Sequence, residues 1–243
     1  MTAVVGALAA ASTLQNAGTF TITGTETIAN VTGGTGTINV NGAATELQIA
    51  GSLPGGSTIA GAVDSTVNDA GTLVLNGTTE IAATTGDVNI DTAVSSTGIV
   101  TNNGAVSAVE NAGDFTNNAV AGAITNTDTL VLGAIGAVPS ETASVTQNTS
   151  GTASTSVEGD ANVAGLVDID TGSLTVKDGN TLDAQGNVDI AAAATLTVEQ
   201  NAAITTGSIT NASTAASSND GTVGVVNNSG VFNNTANGTV ASL

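Results

Sequence analysis

Asp168 and Asp189 stand 21 residues apart, each directly after a valine, Val167 and Val188. If those valines hold equivalent places in adjacent parallel strands, the two carboxylates stack about 4.8 Å apart, and like charges opposite one another repel. A shared divalent cation relieves that repulsion. Ca2+ accepts hard oxygen ligands, and Asp170, Glu158 and Asp160 lie close in sequence. The candidate metal set is therefore Asp168, Asp189, Asp170, Glu158 and Asp160, with Ca2+ as the candidate cofactor. The competing reading makes the same groups solvated surface carboxylates, or turn residues bonding their own backbone. The same alignment puts Lys177, 22 residues before Glu199, on a carboxylate. Such a surface pair contributes about 0–1 kcal/mol, which is decoration rather than a catalytic amine.

Other chemistry is limited by inventory. The 243 residues include 20 carboxylates and one Lys or Arg, that one being Lys177, with no His, Cys, Tyr or Trp. The usual bases, nucleophiles and oxyanion cations are missing, so the expectation is that the chain is not an enzyme. A pair such as Asp168 and Asp189 serves glycoside hydrolysis in principle. Polysaccharide lyases and hydrolases built on β-helices are the enzyme alternative, but they need a basic or aromatic sugar cleft. The formal net charge of −19 comes from missing bases, not from excess acid. With no cluster of cations to displace counterions, neither nucleic acid nor an anionic membrane is an expected partner. No apolar run reaches the length of a membrane-spanning helix, so membrane insertion is not expected.

The elements that must position these carboxylates are legible as a repeat. Phe20-x-Ile22 is followed by Ile28, Leu73-x-Leu75 by Ile81, Leu130-x-Leu132 by Val138, Leu174-x-Val176 by Leu182, and Leu196-x-Val198 by Ile204. Val167, Val188 and Ile209 stand 21 apart, while Leu174/Leu196 and Leu182/Ile204 stand 22 apart. A fixed period of this length marks a stacked fold. A second rhythm of nine runs through Gly104-x-Val106, Gly113-x-Phe115 and Gly122-x-Ile124, and it returns at Gly221, Gly230 and Gly238. Nine reads as one face plus its turn. The alternation places apolar residues inward and Thr, Asn, Asp and Ser outward.

The expected fold is all-β, a parallel β-helix (β-solenoid) of about 11 short coils at about 4.8 Å per coil, with residues 1–243 forming a single elongated domain. The three Phe and the absence of Trp and Tyr suit a narrow tube better than a globular core. The 31 Gly, with many Asn, Asp, Ser and Thr, suit frequent turns. Low complexity also fits disorder. Against that stand 40% hydrophobic residues and a positive mean hydropathy, +0.28. The apolar stretch Ala3 to Ala11 lacks a basic preceding region and reads as a first coil or a cap, not as a signal segment.

Runs such as Asn102-Asn103-Gly104-Ala105-Val106, Asn117-Asn118 after Phe115, and Asn227-Asn228-Ser229-Gly230-Val231-Phe232-Asn233-Asn234 resemble the coils of haemagglutinin-like and autotransporter-like β-helices and of Thr/Ala/Gly-rich bacterial surface-layer and biofilm-matrix proteins. The resemblance is compositional and covers most of the chain. The calcium-binding nonapeptide of repeats-in-toxin proteins is absent, because Gly33-Gly34-Thr35-Gly36 continues with Thr37-Ile38 rather than with Asp. The resemblance implies an extracellular or cell-surface location, with a cell-surface polysaccharide as a partner class.

Neither terminal region carries an obvious polar or helical cap, and unpaired coil edges demand a partner. A head-to-tail contact does not close on itself, so it propagates a filament. The leading expectation is thus an extracellular structural protein that pairs with itself, head to tail, in a filament or a surface or matrix lattice. The alternative is a monomeric adhesin stalk or fragment. Hydroxyl pairs such as Ser173/Thr175 and Thr195/Thr197 also admit an ice-binding face, although Val74 and Val131 interrupt the array and Thr simply favours strands.

Overall fold

Of residues 1–99 the computed structural model describes the backbone of the strands. Beyond residue 99 it describes the chain apart from 104, 136–137 and 149–151, with side chains from residue 100 except also at 107, 134, 135 and 206. Among the described residues every regular element is a strand, and the strands stack in parallel as a β-solenoid. The contacts divide the chain into two compact units, Met1–Phe115 and Thr116–Leu243.

In the first unit Thr2–Val5, Thr19–Ile22, Thr37–Val40 and Thr58–Gly61 form one parallel column, in which Thr2 pairs with Thr19, Thr19 with Thr37 and Thr37 with Thr58. A second column runs from Glu26–Ile28 through Glu46–Ile49 and Ser65–Asn68 to Val88–Ser96. Leu73–Leu75 likewise lies between Ser52–Leu53 and Val88–Ser96. The first two copies of the apolar spacing fall in strands here, and their side chains lie outside the described residues.

In the second unit the expected equivalences hold in register. Val145 pairs with Val167, Val167 with Val188, Val188 with Ile209, and Ile209 with Val226. Leu174 pairs with Leu196, and Ala161, Leu182, Ile204 and Val223 form the next column. All of these side chains are buried. Each aliphatic side chain removed from water contributes about 1.5–3 kcal/mol, so a column of them holds successive coils together without aromatic fillers.

The uniform step does not hold, and the coil count differs from the expected 11, with about 5 turns in the part of the chain described with side chains. Register steps run from 25 residues, Leu130 to Thr155, through 22 and 21, to 17 between Val223 and Val240 and 15 between Ser218 and Asn233. Corner chemistry sets the step. Strands Ile99–Asn102, Ala105–Asn111, Asp114–Asn117, Val120–Asn126 and Ser217–Asn219 each end in Asn, and the next strand starts after two residues. These asparagines are buried, so the expectation that Asn points outward is overturned at Asn102, Asn111, Asn117, Asn126 and Asn219. The reason is that the side-chain amide closes the turn. Asn111 Nδ2 donates to Gly113 O at 2.8 Å, and Gly113 N donates back to Asn111 Oδ1 at 3.2 Å. Asn126 makes the same pair with Asp128.

Where Val157, Val176 or Val198 ends the strand instead, no amide stands at the strand end and the chain takes a longer corner. A different place in the coil, the turn after Ala184 and the bend within Ala203–Asn211 stacked on it, needs glycine. A Cβ on Gly186 would lie 2.5 Å from Gly165 O, and one on Gly207, whose φ is 62°, would lie closer still to Gly186 O. The nine-residue rhythm is thus one strand plus an Asn-closed turn.

One copy of the apolar spacing is misassigned. Val138, expected at the place of Leu182, is 68% exposed in an antiparallel pairing of Ala134–Ile135 with Val138–Pro139. Ser140 takes the inward place and pairs with Ala161.

Candidate functional site

The carboxylate column forms as the spacing implies. Asp168 pairs with Asp189 inside the long register of Val167–Val176 with Val188–Val198, and Thr146 and Thr210 flank the two in the same column. Burial, then the nearby charges of Asp170 and Asp189, raise the pKa of Asp168 above the ordinary carboxyl value. Asp189 Oδ1 is buried and has no hydrogen-bond partner. Desolvation and like charge therefore act on the same pair.

Glu158 and Asp160 sit at a different corner with different work. Glu158 Oε1 accepts from Ser156 Oγ at 3.0 Å, and Asp160 Oδ1 accepts from the Thr181 backbone N–H at 2.8 Å in the next coil. Among the described residues no group of three carboxylates is arranged to hold a metal ion. The structure thus brings Asp168, Asp170 and Asp189 into one electrostatic neighbourhood and gives Glu158 and Asp160 bonds of their own.

That second corner is a polar ladder. Backbone bonds align Glu158, Lys177, Glu199, Asp220 and Thr235 one above another, each N–H donating to the coil below. Lys177 Nζ meets Glu199 Oε1 at 3.2 Å, as the 22-residue spacing predicts, with the side chains 44% and 37% exposed. Glu199 Oε2 also accepts from Asp178 N at 3.1 Å, and Asn201 Nδ2 donates to Asp178 Oδ1 at 2.9 Å. Asp220 Oδ1 accepts from Thr235 Oγ1 and from Asn237 Nδ2. Carboxylates here join one coil to the next by accepting hydrogen bonds.

The feature that reading by residue type missed lies inside. Asn117 Nδ2 donates to Glu141 O and to Thr142 Oγ1 in the next coil, and Asn126 Nδ2 to Gln147 Oε1 at 2.9 Å and Ser154 O at 3.0 Å. Asn211 Nδ2 donates to Asn228 Oδ1 at 2.8 Å and Val231 O at 3.2 Å, and Asn219 Nδ2 to Asn234 Oδ1 at 2.7 Å and Thr239 O at 3.2 Å. Buried amides at Asn117, Asn126, Asn211 and Asn219 thus tie their turns to the following coil, in columns that they share with Ile169, Ile190 and Val198. The available signal was Asn two residues before Gly at a strand end, as in Asn111-x-Gly113, Asn219-x-Gly221 and Asn228-x-Gly230.

On the outer surface a groove of about 340 Å³ crosses several coils, lined by Val120, Glu141, Thr142, Asn162 and Gln185 among others. It offers amide and carboxylate oxygens without a base or a ring. Outward Ser156, Thr175, Thr197 and Ser218 form one register column, and Ser154, Ser173 and Thr195 form another. Val131 heads the first column, as the sequence implies. No protein-family model, curated protein or solved structure matches the chain.

Proposed function

We propose that the chain is a non-catalytic structural β-solenoid of the cell surface or extracellular matrix that stacks on copies of itself, head to tail, in a filament or lattice. The observation that carries this reading is the parallel stack itself, in which each coil of the second unit joins the next through a backbone ladder and through side-chain bonds such as Lys177 to Glu199, a geometry that a further copy can continue. Phe232 pairs with Ser217 and Val240 with Val223, both buried partners, yet Phe232 and Val240 are themselves partly exposed. Val225, Val231 and Leu243 are exposed beside them. Among the described residues Thr239–Ser242 pairs in parallel with Thr222–Asn228, and exposed apolar side chains of this kind are what a further parallel coil covers.

The surface location rests on the compositional resemblance, and the structural role on an inventory without His, Cys, Tyr or Arg. Each copy carries a formal net charge of −19, so stacking has to overcome repulsion. Salt screens it, and Ca2+ bridges carboxylates on facing copies. Sedimentation velocity and negative-stain microscopy over a concentration series, at low and physiological ionic strength and with Ca2+, test the proposal. The expected result is linear oligomers that lengthen with concentration and with salt or Ca2+. A monomer under every condition overturns it in favour of the adhesin-stalk reading.

A further inference from the structure

Lys177 is the one Lys or Arg in the 243 residues. Lys177–Asp178 is therefore the one peptide bond in them that a trypsin-class protease, which seats a cationic side chain in its own acidic pocket, can recognise. The bond sits at an exposed corner. The Lys177 side chain is 44% exposed and Asp178 and Gly179 are exposed after it, and tips of this kind are where chains are ordinarily nicked. Yet the groups that such a protease must engage are already held. Lys177 N donates to Val157 O of the coil below at 3.1 Å, while Lys177 O accepts from Asn180 N at 3.1 Å and from Asn180 Nδ2 at 3.3 Å. Glu199, from the following coil, straddles the bond itself. Its Oε1 meets Lys177 Nζ at 3.2 Å, and its Oε2 accepts from Asp178 N at 3.1 Å. One carboxylate thereby occupies the recognition group on one side of the bond and the amide N–H on the other.

We infer that Glu199 guards the Lys177–Asp178 bond, so that the folded stack withstands trypsin-class proteases and is cut only when this corner opens. The strength of the ion pair is not the reason, since at this exposure it is small. Geometry is. Hydrolysis needs the bond and its flanking residues extended in the protease cleft, where the Lys177 carbonyl carbon takes the attacking oxygen, the Asp178 nitrogen leaves with a proton, and water then releases the Lys177 carboxylate. That arrangement requires Lys177 to leave Val157, Asn180 and Glu199 together. A corner that opens and recloses faster than it is cut is cleaved in proportion to the time it spends open. The guard acts within one chain, whether or not copies stack.

Limited trypsin digestion of the full chain under native conditions tests this, with products identified by mass and a synthetic peptide of residues 171–185 as the unguarded reference. The parent should be cut at Lys177 at least about tenfold more slowly than the peptide. Glu199→Gln keeps the size but leaves one acceptor oxygen for two donors, and Glu199→Ala leaves none. Both should be cut at least about fivefold faster than the parent, and in both the Asp178 N–H should exchange faster with solvent. Asp220→Ala is the control, because Asp220 lies one coil further along the same ladder and bonds Thr235 and Asn237 instead. It should leave both rates within about twofold of the parent. Lys177→Gln should give no product. If Glu199→Ala melts well below the parent, the comparison rests on Glu199→Gln. The inference is overturned if the parent is cut as fast as the peptide, if Lys177→Gln is still cleaved, or if the Glu199 variants are cut no faster than Asp220→Ala.

Discussion

Asp189 shows how a single residue can be worse placed than its neighbours and still be tolerated. Its Oδ1 is buried without a partner beside Asp168, and the raised pKa of Asp168 means that the folded state holds a proton more readily than the unfolded chain does. The folded state therefore binds more protons between the ordinary carboxyl pKa, about 3.9, and the raised value. Stability conferred by that proton is fully present below the window and is lost as pH rises through it. Thermal melting of the parent should accordingly carry a component that falls with rising pH in mildly acidic buffer. Asp189→Asn removes one opposing charge, so it should raise the melting temperature at neutral pH, by the equivalent of about 0.2–1 kcal/mol, and shrink that component only in part, because burial and Asp170 raise the Asp168 pKa more. A variant that melts lower at neutral pH, with the pH slope intact, would show that Asp189 is a structural acceptor and not a strained carboxylate.

At the scale of the element, the corner decides how long a coil is. A two-residue turn forms where an Asn amide replaces the backbone bonds that a longer loop would make, as at Asn126, whose Nδ2 reaches Asp128 O, Gln147 Oε1 and Ser154 O. Asn126→Leu keeps the volume but removes three hydrogen bonds and the acceptor of the Asp128 N–H, leaving Gln147 Oε1 with Thr155 Oγ1 alone and Asp128 O with the Ser154 N–H. It should cost about 1–3 kcal/mol, read as a shift in the denaturation midpoint. Outward Thr129→Val, one turn further on, should cost far less, and equal costs would mean that the amide is not what closes the corner. The strands themselves were legible because Val167, Val188 and Ile209 carry a period that only stacking produces. The corners were not, since Asn serves equally as a solvated turn residue and as a buried one, and only the partner coil decides which. For the same reason Asp168 and Asp189 could be paired from spacing, whereas Glu158 and Asp160, near in sequence, were drawn away by Ser156 and Thr181.

At the scale of the whole molecule, a solenoid unit has no central core, and each coil is stabilised by its two neighbours. Damage should therefore stay local, unlike damage in a globular domain that unfolds as one. Val188 is the discriminating position in the second unit: it is 1% exposed, with Val167 below it and Ile209 above it. In Val188→Asp a carboxylate would occupy an apolar column with no cation within reach, at a cost of several kcal/mol. Hydrogen exchange read strand by strand should then show protection lost in Val167–Val176, Val188–Val198 and Ala203–Asn211, which share its columns. It should be largely kept in Val120–Asn126, which touches the site only through intervening coils. Thr197→Ser, outward between Thr175 and Ser218, should leave protection unchanged everywhere. Uniform loss of protection in Val188→Asp would mean that the coils of this unit are coupled beyond nearest neighbours.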